Sequence, residues 1–499
     1  MKLIVTENLE FLRIVEATEI EQEQIQFSLN RRIRGWFFNP LVKKKIWNGY
    51  IPFCKNNFIP IGLWMEVVKI GEHFNFPVEI TGLERIVDYS FDKEHFKQFC
   101  EDFFVDSTFK PRDYQIESAA EILKYRLCSS EIATSAGKTF IVFIIYAYLK
   151  SMGKLNKIAI IVPNTTLVMQ LKDDWEEYND GKLKMKVRQV YGGSKDRESD
   201  ADVIVGTFQS LCKKTLDYYK GVDVVFCDEA HQSSTASVKN VVSKCKDSIY
   251  RFGLSGTIKE DDSADFATVT SLLGPLVKTI SPKFLFKEGY ATPAKFKIIV
   301  LKYNDDICEK LSKIKRSKQL EGSQLLAFEK EIVIKNPARF KFITDLVNKS
   351  TKNSMVLFSN VKDQYGKKIY EHLKEHSNKQ CFYVDGSVNQ DNRNYFKKEM
   401  EVGTNKTLIA SFNTFSTGIS IKNVHNIIFI ESYKSEIIIK QSIGRGMRQL
   451  EGKEDFTIID IVDDISWQGR DNYLYKHGKA RLEMYKEYTN DIKIHRINL

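Results

Sequence analysis

Ten apolar runs of four to six residues, continuous rather than alternating, recur between residues 157 and 461, with longer helical stretches between them. Four of them are 157–162, 202–206, 222–227 and 250–254. The other six are 297–301, 354–358, 380–384, 407–410, 426–430 and 456–461. A strand that is apolar along its whole length has to be covered on both faces, and parallel sheets flanked by helices supply that cover. The pattern therefore calls for α/β architecture, and its two series predict two parallel-sheet domains. Pro282, Gly289 and Pro293 punctuate the chain between them, so the boundary is placed near 280–292.

Residues 1–105 lie outside the pattern. Trp36, Phe37, Phe38, Trp47, Tyr50 and Trp64 crowd this segment, and Asn48-Gly49 is a tight-turn signal. It reads as a small α+β domain, followed by an α/β domain over 106–282 and a second over 283–499. The last stretch, 469–499, is charged and helical in pattern and reads as a short extension packed on the second α/β domain. A chain of 499 residues is too long for one core, in keeping with three domains.

Composition narrows the class further. The chain is 42% hydrophobic and 28% charged, ordinary for a globular protein, with a net charge of +10 that suits a polyanionic partner. The eight cysteines form no C-x-x-C pair, so reduced intracellular thiols are expected. Glu7 and Glu10 interrupt the first apolar stretch, which lacks a signal-peptide layout. The longest apolar run, 140–149, is half of what a membrane span needs and predicts a buried helix. A cytoplasmic protein without a membrane partner is expected.

Two short segments carry chemistry. Thr134-Ser135-Ala136-Gly137-Lys138-Thr139 lies between a strand-like 131–133 and the helix 140–149. Residues without bulk let backbone N–H groups converge on phosphate oxygens; Lys138 can reach the β/γ-phosphates and Thr139 can hold Mg²⁺. Ile132 replaces the first glycine of the strict phosphate-loop pattern, and Ser135 stands where many such loops have glycine. Asp228-Glu229-Ala230-His231 follows a buried run, where Asp228 can hold the metal and Glu229 can polarise the attacking water. Late in the second series, Gln441-Ser442-Ile443-Gly444-Arg445-Gly446-Met447-Arg448 sets two arginines three apart, so that both can face one γ-phosphate.

In this order the segments resemble superfamily 2 helicases of the DExH type, over about 110–460. Arg112-Asp113-Tyr114-Gln115 looks like the adenine-recognising entry motif. Val162-Pro163-Asn164-Thr165, Gly206-Thr207-Phe208-Gln209, Ser255-Gly256-Thr257, Val356-Leu357-Phe358-Ser359-Asn360 and the stretch with Thr417-Gly418 look like the intervening motifs. The resemblance implies two tandem RecA-like domains that bind ATP and Mg²⁺. It implies that Lys138, Asp228, Glu229, Gln441, Arg445 and Arg448 are catalytic, and that Thr139 and Asp228 hold the metal. Arg112, Gln115, Thr134, Ser135, Ala136, Gly137, Lys138, Thr139 and Gly418 would bind the nucleotide. Thr165, Thr207 and Thr417 would contact a phosphodiester backbone, which positions a strand without reading it.

The flanks bear on the substrate. Within 31–50, Arg31, Arg32, Arg34 and Lys43 to Lys45 alternate with aromatic residues, a mixture suited to a polyanion with stackable bases. Arg34, Lys44 and Trp47 are the candidate contacts; an aromatic core with solvated lysines is the other reading. Lys45-Ile46-Trp47-Asn48-Gly49-Tyr50-Ile51 and, near the end, Tyr473-Leu474-Tyr475-Lys476-His477-Gly478 are similar to phage recombination helicases. That similarity implies 3′→5′ translocation on DNA and remodelling of forks, D-loops and Holliday junctions, by a monomer in the host cytoplasm. A DEAH-type RNA helicase and the motor of a restriction system are the competing readings. His372-Leu373-Lys374-Glu375-His376 matches a zinc-peptidase pattern but lies in a polar stretch and reads as a solvated helix face. Asp463-Asp464 either pairs with the arginine-rich helix or is solvated.

Overall fold

The computed structural model describes residues 1–194, 201–232, 236–258, 260–317, 319–359, 361–412, 414–415 and 421–499. The chain divides into two compact units, Met1–Ile280 and Ser281–Leu499. Among the described residues no helix is long and apolar enough to cross a membrane.

The first unit opens with strands β1 (Lys2–Val5), β2 (Phe11–Glu16), β3 (Asn30–Arg32), β4 (Tyr50–Pro52), β5 (Phe58–Pro60) and β6 (Glu79–Thr81). Four of them form a mixed sheet in the order β5-β2-β1-β6, and β3 and β4 make a separate antiparallel ribbon. β1 and β2 bury alternate residues, so Leu3, Val5, Leu12 and Ile14 face one core with Ile25 and Ile59. This small domain has the alternating, half-exposed strands of an α+β fold.

Strands β7 (Leu127–Ile132), β8 (Ile158–Val162), β9 (Val187–Val190), β10 (Val203–Thr207), β11 (Val224–Asp228), β12 (Tyr250–Ser255) and β13 (Leu276–Ile280) then build a parallel sheet. Its order is β13-β7-β12-β11-β8-β10-β9. The carboxyl ends of β7, β12, β11, β8 and β10 therefore stand side by side along one edge. The central strands β8 and β10 are buried at every position, as a sheet covered on both faces requires. All ten residues of 140–149 are buried within the helix Lys138–Ser151, which explains why that run is apolar all round.

The second unit repeats the architecture with β14 (Ala294–Lys302), β15 (Ser354–Phe358), β16 (Gln380–Val384), β17 (Lys406–Ser411), β18 (Asn426–Phe429), β19 (Phe456–Asp464) and β20 (Ile492–Asn498). The order is β16-β17-β15-β18-β19-β14-β20, again parallel throughout. The C-terminal extension departs from the helical expectation. Only Tyr473–Tyr485 is helical, and β20 adds to the free edge of β14. Its side chains are mostly exposed, so backbone pairing rather than burial holds the strand there. Asp463 meets neither the arginine-rich helix nor solvent. It is buried and paired with Arg339 of the helix Pro337–Lys349.

Candidate functional site

The phosphate loop spans the gap between β7 and the helix that starts at Lys138. Gly137 caps that helix with φ +79°, and a Cβ there would lie 2.4 Å from Gln115 Nε2. Ser135 also adopts a positive φ, +73°, a conformation that glycine takes without strain. The loop is thus shaped for glycine at the position where the sequence departs from its usual form. Gln115, expected to meet adenine, is buried beneath the loop. Its Nε2 donates to the Ala136 carbonyl at 3.0 Å, and its Oε1 accepts from the Arg112 N–H at 3.0 Å. Tyr114 Oη donates to the same carbonyl at 2.9 Å. The entry segment is a strut that fixes the loop's curvature. Gly137→Ala is expected to push this strut aside and weaken nucleotide affinity about ten-fold or more, since left-handed backbone costs an L-residue about 1–2 kcal/mol before the clash is added. Titration with a fluorescent ATP analogue measures it; unchanged affinity would contradict the role given to Gln115.

Asp228 ends β11, two strands from the loop, with β12 between. Loss of water and the neighbouring Glu229 carboxylate push its carboxyl up to about 7, against the opposing pull of the Lys138 ammonium. Glu229 turns away with φ +51°, and its N–H donates to Asp228 Oδ1 at 2.9 Å. Its own carboxylate reaches the end of β12: Ser255 Oγ donates to Glu229 Oε2 at 3.2 Å. His231 Nδ1 lies 3.4 Å from the same oxygen, 2.8 Å from Ser255 Oγ and 3.1 Å from Thr257 Oγ1. Burial holds the imidazole below its ordinary pKa, so it is neutral at pH 7.

Gly256, between these hydroxyls, packs tightly on the phosphate loop: a Cβ would sit 3.3 Å from Thr134 N and Thr134 Oγ1. One hydrogen-bonded cluster thus connects Glu229, His231, Ser255 and Thr257 beside Thr134. Sequence reasoning named these segments separately and did not find the cluster; only the strand order makes them neighbours.

The residues fit a divalent cation. Asp228 and Glu229 place two carboxylates at one strand end, where burial and mutual repulsion disfavour the charged form of Asp228 and a bound cation would favour it. Thr139 is the second residue of the helix after the loop. Among the described residues no group of three His, Cys, Asp or Glu side chains gathers to hold a metal. A single carboxylate, a hydroxyl and nucleotide oxygens would complete a Mg²⁺ shell without such a group.

Farther along the same sheet edge, Thr165 opens the helix Thr165–Asn179, where Asn164 Oδ1 caps the Leu167 N–H at 3.0 Å. Thr207 ends the adjacent strand β10, in register with Val162. It is 5% exposed, and its hydroxyl donates to Ser210 Oγ at 3.1 Å, so the hydroxyl is committed within the protein. Thr417 and Gly418 lie outside the described residues. In the small domain, Lys44 is exposed. Trp47 is half-buried, and its Nε1 donates to the Tyr50 carbonyl at 2.9 Å. Arg34 forms an ion pair with Asp261. Arg32 lies between two aromatic faces, 3.8 Å from the Trp36 ring centre and 4.4 Å from that of Tyr50. Phe37 and Phe38, by contrast, are exposed. The aromatic residues of this segment therefore divide between internal packing and the surface.

In the second unit Gln441 and Arg445 lie on the helix Glu436–Gly446, with Arg448 just beyond it. Ser442, Ile443, Gly444, Gly446 and Met447 are buried, which leaves Gln441, Arg445 and Arg448 on one partly exposed face. The helix needs Gly446 to pack, because a Cβ there would come within 2.4 Å of the Phe456 ring. Arg445 stacks over Phe415 at 5.1 Å. Lys453, which sequence reasoning missed, donates to the carbonyls of Gly446 at 2.7 Å, Lys422 at 3.0 Å and Arg448 at 3.3 Å, and so anchors the end of this helix. His372 and His376 stack on each other at 4.5 Å, with His372 against Phe340 at 5.4 Å, as residues of one helix face.

Comparison with known proteins agrees with this arrangement. Residues 108–260 match the family described as type III restriction enzyme, res subunit, and residues 338–449 match the helicase conserved C-terminal domain. The ATP-dependent DNA helicase uvsW of Enterobacteria phage T4 is 29% identical over 486 residues, covering 93% of each chain. The crystal structure of T4 UvsW superposes with a TM-score of 0.50 at 26% identity, covering 100% of this chain and 99% of that one. The DNA-bound type ISP restriction-modification enzyme LlaBIII shares the fold alone, with a TM-score of 0.58 at 17% identity over 87% of this chain and 34% of its own.

Proposed function

We propose that this chain, which carries the two helicase domains of superfamily 2 and is an ATP-hydrolysing helicase, acts on DNA and remodels branched intermediates with 3′→5′ polarity. The observation that carries the reading is the cluster at one sheet edge: the phosphate loop, Asp228, and Glu229 held by Ser255 and His231. Its likeness to a phage DNA helicase along almost the whole chain supports DNA as the substrate and the host cytoplasm as the location.

In this reading Lys138 and the loop amides bind the phosphates of ATP, and Thr139 and Asp228 hold Mg²⁺, which supplies charge neutralisation for phosphoryl transfer. Glu229 orients water and takes its proton. Arg445 and Arg448, with Gln441 on the same helix face, stabilise the charge that develops on the γ-phosphate. Thr165 and the backbone about Thr207 touch the DNA strand, which lies along the same sheet edge as the ATP site. Hydrolysis then drives the relative movement of the domains.

ATPase titrations with single-stranded, forked and four-way DNA and with RNA of matching sequence test the reading. Stimulation by forked and four-way DNA above linear duplex is expected. Preference for RNA duplex would overturn it. A second reading, the motor of a restriction system, draws on the match at 108–260. It predicts co-purification with a methyltransferase or nuclease.

A further inference from the structure

The small N-terminal domain contains an uninterrupted cationic stretch: from residue 24 to 65 there is no Asp or Glu, while Arg31, Arg32, Arg34, Lys43, Lys44, Lys45 and Lys55 supply seven positive charges. Three consecutive acids of the α/β domain meet two of these arginines and Lys69, just beyond the stretch. Arg31 Nη1 lies 2.8 Å from Asp262 Oδ1, Arg34 pairs with Asp261, and Lys69 Nζ lies 2.9 Å from Glu260 Oε1. Arg31 also holds Glu66 at 3.0 Å. Arg31, Glu66, Lys69, His73 and the three acids line a cleft of about 400 Å³ between the small domain and the helix Ala264–Leu273, with Arg34 outside it.

The three ion pairs are not needed to dock the small domain. Gly62 packs so closely on that helix that a Cβ would stand 2.0 Å from the Thr270 carbonyl, and Arg32 bridges to Ser263 through the backbone. The acids and two of the three cations are exposed: Asp262 is 96% accessible, Lys69 63% and Glu260 59%, whereas Arg31 is 19% accessible and is anchored from below by Glu66. Exposed pairs are individually weak and yield to a denser array of negative charge. The acids are also well placed to report their state. Glu260 follows Thr257, the hydroxyl beside His231 in the hydrolysis cluster, by three residues.

We propose that Glu260, Asp261 and Asp262 form an acidic latch that occupies, as a phosphate mimic, a phosphodiester-binding cradle made by Arg31, Arg34 and Lys69. A nucleic-acid backbone displaces the latch, and the displacement reaches the hydrolysis cluster through Thr257. The proposal rests on the nucleic-acid reading above but not on the choice of DNA over RNA.

The test uses the full chain and a fluorescent single-stranded DNA, with RNA of the same sequence in parallel. The variant E260Q/D261N/D262N is compared with E94Q/E101Q/D102N, which changes net charge equally on the exposed face of the helix Lys93–Phe103. The latch variant is expected to bind about ten-fold more tightly than the control variant, with a steeper salt dependence as freed cations engage phosphates. Its ATPase rate without nucleic acid is expected to rise severalfold. Adding R34M/K69M is expected to remove the gain in the latch variant and to weaken wild-type binding by a smaller factor, because in wild type part of the cradle's binding energy goes into displacing the latch. The single change D261N gives a smaller gain of the same sign, should the triple variant unfold. A gain no larger than the control's, or one that survives R34M/K69M, overturns the cradle, and an unchanged basal rate overturns the coupling. If neither DNA nor RNA binds wild type or stimulates its ATPase, the nucleic-acid reading itself fails.

Discussion

Glu229→Gln is expected to lower the kcat of nucleic-acid-stimulated ATP hydrolysis by about 10²–10⁴, the range for loss of a positioned general base, with ATP affinity within a few-fold of wild type. The substitution keeps side-chain size and one carbonyl-type acceptor, so Ser255 Oγ can still donate to it. It removes the ability to take a proton. Glu229 is only 13% exposed and is fixed by Ser255 and by His231, so bulk buffer has little access to replace it. Single-turnover hydrolysis with excess enzyme separates the chemical step from product release. A kcat within ten-fold of wild type would mean that another group activates the water. Asp228→Asn is the informative companion. Its loss should appear chiefly as weaker Mg²⁺·ATP binding, because in the proposed reading that carboxylate would hold the metal.

The ten runs that define the two sheets were legible because buried parallel strands are apolar at every position. Each matches a strand of the structure to within a few residues. Four strands of these sheets escaped the runs: internal β7, read only as strand-like at 131–133 because Ser129, Ser130 and Glu131 break its apolar run, and three at sheet edges. β9, β13 and β20 have one neighbour each, keep polar or exposed positions, and owe their place to backbone pairing. β20, Ile492–Asn498, is the plainest case, since its Lys, His and Arg read as part of a charged helical extension packed on the second α/β domain.

At the site, the nature of the residues could be read from the sequence but their connections could not. Lys138, Asp228 and Glu229 announce phosphate and metal chemistry by type and position. That Gln115 supports the loop, that Ser255 and Thr257 grip the Glu229–His231 pair, and that Lys453 ends the arginine helix are consequences of tertiary packing, strand order and register, which bring together residues 21 to 31 positions apart in the chain. The acidic triplet after Thr257 likewise looks like an ordinary loop until the small domain is set against it.

Arg339→Leu is expected to destabilise the second unit by about 3–5 kcal/mol, the cost of leaving a buried charge without its partner. Arg339 is fully buried. Its Nε and Nη2 donate to Asp463 Oδ1 and Oδ2 at 2.7 and 2.9 Å, its Nη1 to Tyr365 Oη at 2.8 Å, and its Nη2 also to the Ile430 carbonyl at 2.7 Å. Tyr303 Oη donates to Asp463 Oδ1 at 2.8 Å, so the carboxylate ties the helix Pro337–Lys349 to the residue that follows β14. Truncating the arginine strands Asp463 in an apolar core beside Leu301, Ile430 and Ile461. The energy at stake is mostly that stranded charge rather than the pair's net attraction. Removing both charges, as Arg339→Leu with Asp463→Leu, is therefore expected to recover much of the loss. Urea denaturation of the two single variants and the double variant forms the cycle. A single-variant cost below about 1 kcal/mol, or a double variant as unstable as the sum of the singles, would show that the network contributes through packing alone.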